Sequence, residues 1–454
     1  MELQRDAYAK LIRWKSESNG KTALLIEGAR RIGKSTIAKK FASENYRSFI
    51  LIDFATASKT IKANFEENLN DLDKFFQIIS LEYGTRLYPR ESLVVFDEVQ
   101  KFPKAREAIK YLVADGRYDF LETGSLISIR ENVDDIVIPS EEERLRMHPL
   151  TFAEFLEASG EGPLLDYIRS CCRERKALED AFHKRATHLV REYMLVGGMP
   201  QAVVAFLENG RDFYAADDEK RRILDLYRDD IKKAARRYKS KVSALFEFIP
   251  GYLSTHEKKV VLSKIDGSGE FDSYDDPLFW LGDSMMCNLC YRCTDPNVGF
   301  ALSRDDSAVK CYLADTGLLV SLAFSESEIA SSNLYRSIMT GRLSLNEGMI
   351  HENLIAQTIA SAGRKLFFYT HYSEEKHRND IEIDFLLSNE SKTNLKVVPV
   401  EVKSSKNYTT TSYDAFKSRF GKRIGRSIIV HPKAFSESDV GSRLPTYMLF
   451  CVLE

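Results

Sequence analysis

The chain has 454 residues, of which 44% are hydrophobic and 29% are charged. At roughly 150 residues per domain this length predicts about three domains, and the composition excludes wholesale disorder. The 65 Lys and Arg residues against 67 Asp and Glu residues give a net charge of −2, which excludes a protein that is basic over its whole surface but not one with a local basic patch.

Four short apolar runs in the first 150 residues predict strands, and helix-like stretches separate them. This alternation indicates βαβ units and a parallel sheet. The runs are continuous instead of alternating with polar residues, which is typical of strands covered on both faces. We expect strands at 22–27, 49–54, 93–96 and 118–121, and helices at 33–44, 71–83 and 104–114.

The pattern becomes helical from about residue 149 to 241. Thr151 is followed three residues later by Glu154, which is the spacing of a capping box at a helix N-terminus. A mixed region with an acidic loop near 266–276 follows, up to about residue 324. Beyond about residue 345, a unit of α/β type is predicted from a helix-like stretch at 348–362 and the strand-like segments KLFFYT, IEIDFLL, VVPVEVK and SIIVHP.

Two features bear on the cellular compartment. Residues 1–20 lack the apolar core of a secretion signal, and the sequence has no uninterrupted apolar stretch of about 18 residues. The seven cysteines are an odd number, which favours free thiols over a disulfide framework. We therefore expect a cytoplasmic protein that does not contact a membrane.

Two short segments have structural interpretations. Cys287, Cys290 and Cys293 form C-x-x-C-x-x-C, but a structural zinc site needs four ligands, so we expect buried free thiols at a helix end. The segment 197–200, GGMP, is expected to form a turn. In a phosphate-binding enzyme this turn could alternatively relay the nucleotide state to neighbouring domains.

Residues 28–35, GARRIGKS, match the phosphate-binding pattern G-x-x-x-x-G-K-[ST]. The match directly follows a predicted strand and opens a predicted helix, which is the context that the motif requires. Backbone N–H groups of such a loop wrap the phosphates of ATP, and the helix N-terminus adds a favourable dipole. Lys34 would reach the β- and γ-phosphates, and Ser35 would bind Mg²⁺. The predicted nucleotide-binding residues here are Gly28, Ala29, Arg30, Arg31, Ile32, Gly33, Lys34, Ser35 and Thr36.

Two later strand ends support an ATP site. The apolar segment LVVFDEVQ places Asp97 where it would hold Mg²⁺, directly or through water, and Glu98 where it would act as the general base for the attacking water. The segment DFLETGS ends at Thr123 and Ser125. In P-loop ATPases with an extra strand between the two motifs, a polar residue at this place senses the γ-phosphate. The alternative is a plain turn at a strand end.

Arginines near the site are candidates for stabilising the transferring phosphoryl group, although surface arginines without that role are common. They are Arg30 and Arg31 in the loop and Arg144 and Arg146 further on. Sites of this type often use an arginine from a neighbouring subunit, so self-association into a homo-oligomer is also considered.

A second constellation lies near the C-terminus. Asp384 stands at the end of one predicted strand, and Glu401 and Lys403 share one face of the next because side chains alternate with a period of two. Two carboxylates on adjacent strands can hold Mg²⁺, and a nearby lysine can orient or deprotonate a metal-bound water, as in phosphodiester hydrolysis. Glu352, on the preceding helix, would complete the metal shell. The alternative is a chance match, because acidic pairs followed by lysine are frequent.

The surrounding segment is basic. Residues 392–433 contain ten Lys and Arg against only Glu401 and Asp414, and a second basic run covers 232–241. These segments could face a phosphate backbone, with DNA favoured over RNA as the partner. The alternative is a solvated face balanced by acids elsewhere.

An ordered set of segments resembles a widespread prokaryotic family of AAA-like ATPases with a C-terminal restriction-endonuclease-like, or PD-(D/E)XK, domain. The resemblance covers nearly the whole chain. Its segments are EGARRIGKST, LVVFDEVQ, FLETGS, MHPLTFAEFL, YMLVGGMPQAV, VKCYLADTGLL, IHENLIAQ, EIDFLL and PVEVKS.

The resemblance implies an α/β fold with three parts. These are a P-loop parallel sheet in an ATPase domain at 1–150, a helical and winged-helix-like region at 151–340, and a nuclease-like α/β domain at 341–454. The resemblance also implies that Gly28, Gly33, Lys34, Ser35, Asp97 and Glu98 form the ATP site, and that Glu352, Asp384, Glu401 and Lys403 form the nuclease-like site.

Three hypotheses follow. The first is an ATPase whose nucleotide cycle controls a nuclease-like domain that binds or cleaves nucleic acid. The second is a signal-transducing nucleotide switch whose C-terminal domain is a non-catalytic protein-interaction module. The third is a DNA-loading or translocating ATPase without nuclease chemistry. The intact Glu98 favours hydrolysis over a passive switch.

Overall fold

The chain divides into two compact units. The N-terminal unit comprises Glu2–His148 with Asp283–Met285, and the C-terminal unit comprises Met1, Pro149–Gly282 and Met286–Glu454. A further division near residue 340 stays a prediction. The computed structural model describes residues 1–125, 139–235, 238–255, 260, 275–324, 335, 338–340, 347–375, 377–389, 396–405, 407–438 and 441–454.

The N-terminal unit contains a five-stranded parallel sheet in the order β2-β3-β4-β1-β5. The four strands expected from the apolar runs are confirmed, and every residue of β1, β3 and β4 is buried. Because β4 lies between β1 and β3, it is the extra strand of this class of P-loop sheet. The strands are β1 (Ala23–Glu27), β2 (Ser48–Asp53), β3 (Ser92–Asp97), β4 (Asp119–Gly124) and β5 (Glu142–Arg146).

A cluster of buried phenylalanines packs the helices of this unit against the sheet. Phe65 makes edge-to-face contacts with Phe54, Phe75 and Phe96 at ring-centroid distances of 5.0–5.6 Å. Each fully buried phenylalanine contributes about 1.5–3 kcal/mol, so this cluster fixes α3 and α4 beside β3. The helices are α1 (Asp6–Ser18), α2 (Lys34–Asn45), α3 (Lys59–Glu67), α4 (Leu72–Glu82) and α5 (Pro103–Asp115).

The C-terminal unit begins with helices, as the sequence predicts. The capping box is confirmed: the Glu154 backbone N–H donates to Thr151 Oγ1 at 3.2 Å, and the Thr151 N–H donates to Glu154 Oε2 at 2.8 Å. No helix in the described part of the chain is long and apolar enough to cross a membrane. The helices up to the first strand of this unit are α6 (Phe152–Ala158), α7 (Gly162–Glu174), α8 (Asp180–Val196), α9 (Pro200–Glu208), α10 (Phe213–Ala234), α11 (Lys239–Leu253) and α12 (Asp275–Asp283).

Two sheets follow, in the strand orders β7-β6-β8-β9 and β10-β11-β12-β14-β13. The α/β pattern expected beyond residue 345 is confirmed. The strands are β6 (Cys287–Cys293), β7 (Arg304–Leu313), β8 (Leu366–Ser373), β9 (Arg378–Ile383), β10 (Phe385–Asn389), β11 (Lys396–Val402), β12 (Ser427–His431), β13 (Ser436–Ser438) and β14 (Gly441–Pro445). The helices among them are α13 (Thr316–Ala323), α14 (Glu347–Ser361), α15 (Thr411–Phe420) and α16 (Leu449–Leu453).

The cysteine segment is a strand, so the expected helix end is wrong. Cys287, Cys290 and Cys293 are buried on β6, which pairs with β7 on one side and β8 on the other. Their thiols are free, as expected. Cys287 and Cys290 stand in regular register with Leu313 and Lys310, so they lie on opposite faces of β6, and both are buried. Their spacing of three resembles a helical period. A register shift follows between Tyr291 and Arg292, before Cys293.

The turn expected at 197–200 is confirmed between α8 and α9, where it closely contacts two other segments. The Gly198 N–H donates to the buried carboxylate of Asp315 at 2.5 Å, and the Gly198 carbonyl accepts from the Leu150 N–H at 2.7 Å. A Cβ atom on Gly198 would lie 2.1 Å from the Leu150 carbonyl oxygen. Only glycine therefore allows this approach of backbone to backbone.

We predict that Gly198→Ala lowers the free energy of unfolding by about 3 kcal/mol or more, because the methyl group overlaps backbone atoms that cannot rotate away. Chemical denaturation of the full chain measures the change. Gly251→Ala is the control, since its Cβ would meet only Phe248 at 3.8 Å inside α11. That change should stabilise the chain by about 0.5–1 kcal/mol. Equal effects of the two substitutions would contradict the packing argument.

Candidate functional site

The phosphate-binding loop joins β1 to α2 in a shape that few side chains permit. Gly33 precedes α2 with φ at +93°, in the left-handed region that favours glycine. A Cβ atom on Gly28 would lie 2.4 Å from the Met147 carbonyl oxygen. The two glycines of the motif thus let the loop turn tightly over the carboxyl end of the sheet and lead into the N-terminus of α2.

Lys34, the first residue of α2, folds back over this loop. Its ammonium group is buried and donates to the carbonyl oxygens of Gly28 and Ala29, each at 2.9 Å. An ammonium group binds an ionised phosphate more strongly than a neutral carbonyl. We therefore expect a bound phosphate to draw the Lys34 Nζ away from the loop carbonyls.

Three sequence motifs meet at one carboxylate oxygen. Asp97 Oδ1 accepts a hydrogen bond from Ser35 Oγ at 2.7 Å and another from Thr123 Oγ1. Hydroxyl and carboxylate oxygens are the donor set that Mg²⁺ prefers, so Ser35 and Asp97 fit the ion that the sequence predicts. The position of β4 between β1 and β3 brings Thr123 to this point.

Glu98 follows Asp97 with its backbone in the left-handed region, at φ +55°. A residue other than glycine in this region is strained by roughly 1–2 kcal/mol. The surrounding structure holds it: the Glu98 N–H donates to Thr123 Oγ1 at 3.4 Å, and Gln100 Nε2 donates to Glu98 Oε2 at 2.6 Å. The carboxylate next to the predicted Mg²⁺-binding residues is therefore oriented by hydrogen bonds.

Sequence reasoning missed two residues that support this site. Gln100 lies two positions after Glu98, in the motif already identified, and its amide could have been recognised as a partner. Arg5 donates to the Ile32 carbonyl at 2.9 Å and to the His148 carbonyl at 2.6 Å. These hydrogen bonds stabilise the phosphate-binding loop, which contains Ile32. No local pattern marks Arg5, because its partners are 27 and 143 residues away.

The remaining predicted residues of this site lie on the loop, in the first turn of α2 and after β4. The side chains of Arg30, Arg31 and Thr36 are exposed, and Ser125 follows the end of β4. Their contacts with a nucleotide stay predictions.

The two later arginines are ion-paired within their own unit. Arg146 Nε lies 2.8 Å from Glu27 Oε1, and Arg144 Nε lies 3.1 Å from Glu142 Oε1. To act on a phosphate, either guanidinium group would have to leave or share a buried carboxylate. The role of an arginine finger stays a prediction for both.

A buried carboxyl group, that of Glu122, lies on β4 directly before Thr123. Burial raises the pKa of Glu122 well above its ordinary value, and the nearby negative charge of Glu142 raises it further. Glu142 forms a bidentate salt bridge with Arg106, in which both N–O distances are 2.8 Å. Burial and the nearby Glu142 charge thus both favour the neutral form of Glu122.

In the C-terminal unit the structure brings part of the predicted constellation together. Phe385 of β10 pairs with Val400 of β11, which places Asp384 beside the Glu401 strand. The Val402 N–H donates to Asp384 Oδ2 at 2.8 Å, and Lys403 Nζ lies 2.9 Å from Glu401 Oε2. Burial raises the pKa of Glu401, and the Lys403 charge opposes that shift.

Glu352 has partners that the sequence interpretation did not include. Its carboxylate lies on α14, is 1% exposed, and binds Lys310 Nζ at 3.2 Å and the Tyr312 hydroxyl. Among the residues that the structure describes, no group of three or more His, Cys, Asp or Glu side chains is arranged to hold a metal ion. The three carboxylates do not fit a metal shell as arranged. A charged Lys310 in an otherwise apolar stretch of β7 could have signalled a buried partner.

The later part of the basic segment lies on and after α15, whereas Lys396 and Lys403 lie on and directly after β11, and 392 and 406 lie outside the described residues. The exposed cations of this surface, which we call the α15 basic face, are Lys417, Arg419, Lys422, Arg423 and Arg426. Arg423 pairs with Asp295 at 2.6 Å and Arg426 with Glu437 at 3.0 Å, so part of the charge is neutralised. In the second basic run, Lys232 and Lys233 are exposed, whereas 236–237 lie outside the described residues, as does the acidic loop near 266–274.

Comparisons with known proteins agree with the N-terminal geometry. A family model described as an AAA domain matches residues 20–156. Two models described as domains of unknown function, DUF8612 and DUF4143, match residues 187–328 and 345–447. With its loop, its strand order and this match, the N-terminal region is an AAA-type ATPase domain.

The other comparisons add no function. A crystal structure of a DNA replication initiation factor is 10% identical, with 73% of this chain and 90% of that chain covered, at a TM-score of 0.22. A likeness with so low a TM-score carries no argument about fold or partner. No curated protein matches the chain.

We predict that Thr123→Val lowers the turnover number for ATP about 10- to 100-fold and leaves the ATP dissociation constant within a few-fold. Valine keeps the shape of threonine but removes the hydroxyl that joins Asp97 to the Glu98 backbone. Steady-state hydrolysis and nucleotide titration measure the two quantities. Thr123→Ser restores the hydroxyl and should recover most of the rate. A fully active valine variant would show that the hydroxyl has no part in turnover.

Proposed function

We propose that this protein is a Mg²⁺-dependent ATPase whose N-terminal domain binds and hydrolyses ATP and whose C-terminal unit binds nucleic acid. The observation that supports hydrolysis most strongly is the convergence of Ser35 and Thr123 on Asp97, with Glu98 oriented beside them. A domain that only bound nucleotide would not need a strained, hydrogen-bonded carboxylate next to the Mg²⁺-binding oxygens.

Each residue has a role in this proposal. The loop N–H groups and Lys34 bind the phosphates, and Ser35 and Asp97 hold Mg²⁺, which supplies positive charge to the transferring phosphoryl group. Glu98 accepts the proton of the attacking water. Gln100 orients the Glu98 carboxylate, and Thr123 fixes the backbone between Asp97 and Glu98.

We predict that Glu98→Gln lowers the ATP turnover number by about 10²- to 10⁴-fold while ATP still binds, because the amide cannot accept the proton. Lys34→Ala is the comparison variant and should abolish ATP binding. Hydrolysis is measured by phosphate release, and binding by titration with a fluorescent ATP analogue. Hydrolysis at the wild-type rate in Glu98→Gln would remove that residue from the base role. Unchanged hydrolysis in Lys34→Ala would overturn the whole site.

The α15 basic face supports the nucleic-acid part of the proposal. Lys417, Arg419 and Lys422 are exposed within a short stretch of helix and turn, and Asp414 is the only acid in α15. Exposed cations close together along the chain attract a phosphate backbone through release of its counterions, whatever the base sequence. The net charge of the chain, −2, means that binding would depend on this face and not on the protein as a whole.

We predict that the triple substitution Lys417→Gln, Arg419→Gln and Lys422→Gln weakens DNA binding and makes it less sensitive to salt. The slope of log affinity against log salt concentration should fall by as much as about 3, since each lost phosphate contact removes about 0.9. Fluorescence anisotropy with duplex and single-stranded DNA and with RNA measures the slope.

The matched control substitutes three exposed lysines outside the basic segment, Lys59→Gln, Lys110→Gln and Lys365→Gln. It changes the net charge by the same amount and should leave the slope unchanged. Equal losses in both triple variants would mean that general charge, and not the α15 basic face, governs binding. ATPase rates measured with each nucleic acid would identify the partner that is coupled to turnover.

Cleavage of nucleic acid by the C-terminal unit is a second hypothesis, derived from the resemblance and supported by the proximity of Asp384 to Glu401 and Lys403. The alternative is a nucleotide switch with a non-catalytic C-terminal module. The pairing of Glu352 with Lys310 and Tyr312 favours that alternative, because it engages one of the three predicted metal-binding carboxylates.

A further inference from the structure

A buried lysine lies among three carboxylates of the C-terminal unit. Lys310 is fully buried on β7, and its Nζ lies 3.2 Å from Glu352 Oε1 and 3.7 Å from Glu382 Oε1. Burial lowers the pKa of Lys310, but Glu352 first and then Asp384 more than offset this effect, so the pKa lies above its ordinary value. With its Nζ at ion-pairing distance from both Glu352 and Glu382, the ammonium group already gives this cluster a cation.

The Glu352 carboxylate is engaged more than once. The Tyr312 hydroxyl, two residues along β7 and thus on the same face of the strand, donates to the same oxygen that faces Lys310. A divalent ion bound to that oxygen would lie close to the ammonium group, and like charges would repel each other strongly in this buried place. The Glu352 carboxylate can pair with the lysine or bind a metal ion, but it cannot do both at once.

The surroundings keep Lys310 in this position. Its Nζ lies 5.0 Å from the centre of the Phe368 ring on β8, and the buried Cys290 of β6 also lies close enough for its pKa to be affected by the lysine charge. A charged ammonium group with an aromatic ring and a thiol around it cannot be solvated by water. The buried ammonium group is stable only because carboxylates from α14 and β9 form ion pairs with it.

We propose that Lys310 supplies, from within the chain, the positive charge that a divalent ion would otherwise bring to Glu352, so that Glu352 is a lysine partner and not a metal ligand. Lys310 is thus a positioning residue for the C-terminal carboxylates. The proposal concerns this cluster alone and does not depend on ATP hydrolysis or on nucleic-acid binding.

Binding of Mn²⁺ to the full chain without nucleotide, followed by electron paramagnetic resonance, tests the proposal. Glu352→Gln should leave the Mn²⁺ affinity of the protein unchanged within about two-fold, because the carboxylate is not a ligand. Lys310→Met keeps an unbranched side chain but removes the charge. It should increase the Mn²⁺ affinity at least ten-fold, because Glu352 then lacks its ammonium partner.

The double variant Lys310→Met with Glu352→Gln is the matched control and should lose that gain. Thermal unfolding gives an independent measurement. In EDTA, Lys310→Met should lower the Tm by roughly 6–15 °C, the usual effect of breaking a buried ion pair. Mn²⁺ should restore part of this loss in the single variant, but not in the double variant, whose Tm in EDTA should lie nearer to the wild type.

Two results would overturn the proposal. One is a ten-fold or larger loss of Mn²⁺ affinity in Glu352→Gln, which would make Glu352 a metal ligand in the wild-type protein. The other is a Lys310→Met variant that neither binds Mn²⁺ more tightly nor regains Tm with it. If Lys310→Met does not fold, the Glu352→Gln titration decides alone.

Discussion

Asp97 accepts hydrogen bonds from two hydroxyl groups, one on α2 and one on β4, and the predicted ATP site depends on this convergence. The carboxyl ends of parallel strands meet at one edge of a sheet, so residues far apart in sequence become neighbours there. The insertion of β4 between β1 and β3 is what brings Thr123 into reach. With β4 at any other position, the Asp97 carboxylate and the Glu98 backbone would lose the group that joins them.

Buried carboxylates organise the C-terminal unit as well. Asp315 is fully buried and accepts hydrogen bonds from the backbone N–H groups of Gly198 and Leu318, at 2.5 and 2.9 Å. Glu352 is held by Lys310 and Tyr312. A carboxylate removed from water is stable only when charged or polar groups pair with it or donate hydrogen bonds to it. Each buried carboxylate therefore holds in place the segments that supply its partners.

Local patterns made the N-terminal site predictable from sequence. The phosphate-binding loop is contiguous, and the strands beside it are continuous apolar runs, so motif and fold support each other. The fifth strand was missed because EERLR contains one buried residue, Leu145, and no apolar run. Lys310 was missed for another reason: Glu352 is 42 residues away along the chain, and no spacing rule connects a lysine on a strand to a carboxylate on a distant helix. The cysteine segment was misread because buried residues three apart on a strand resemble a helical period.

The two carboxylate sites differ in the charge of their partners, and this difference separates their chemistry. Asp97 is met by the hydroxyl groups of Ser35 and Thr123, which are neutral, so its negative charge is still available to a cation. Glu352 is met by an ammonium group, so its own negative charge is already paired inside the chain. A carboxylate that faces only neutral donors can recruit Mg²⁺, whereas one that already faces an ammonium group has less electrostatic reason to do so. This difference favours a Mg²⁺ site at Asp97 over one at Glu352.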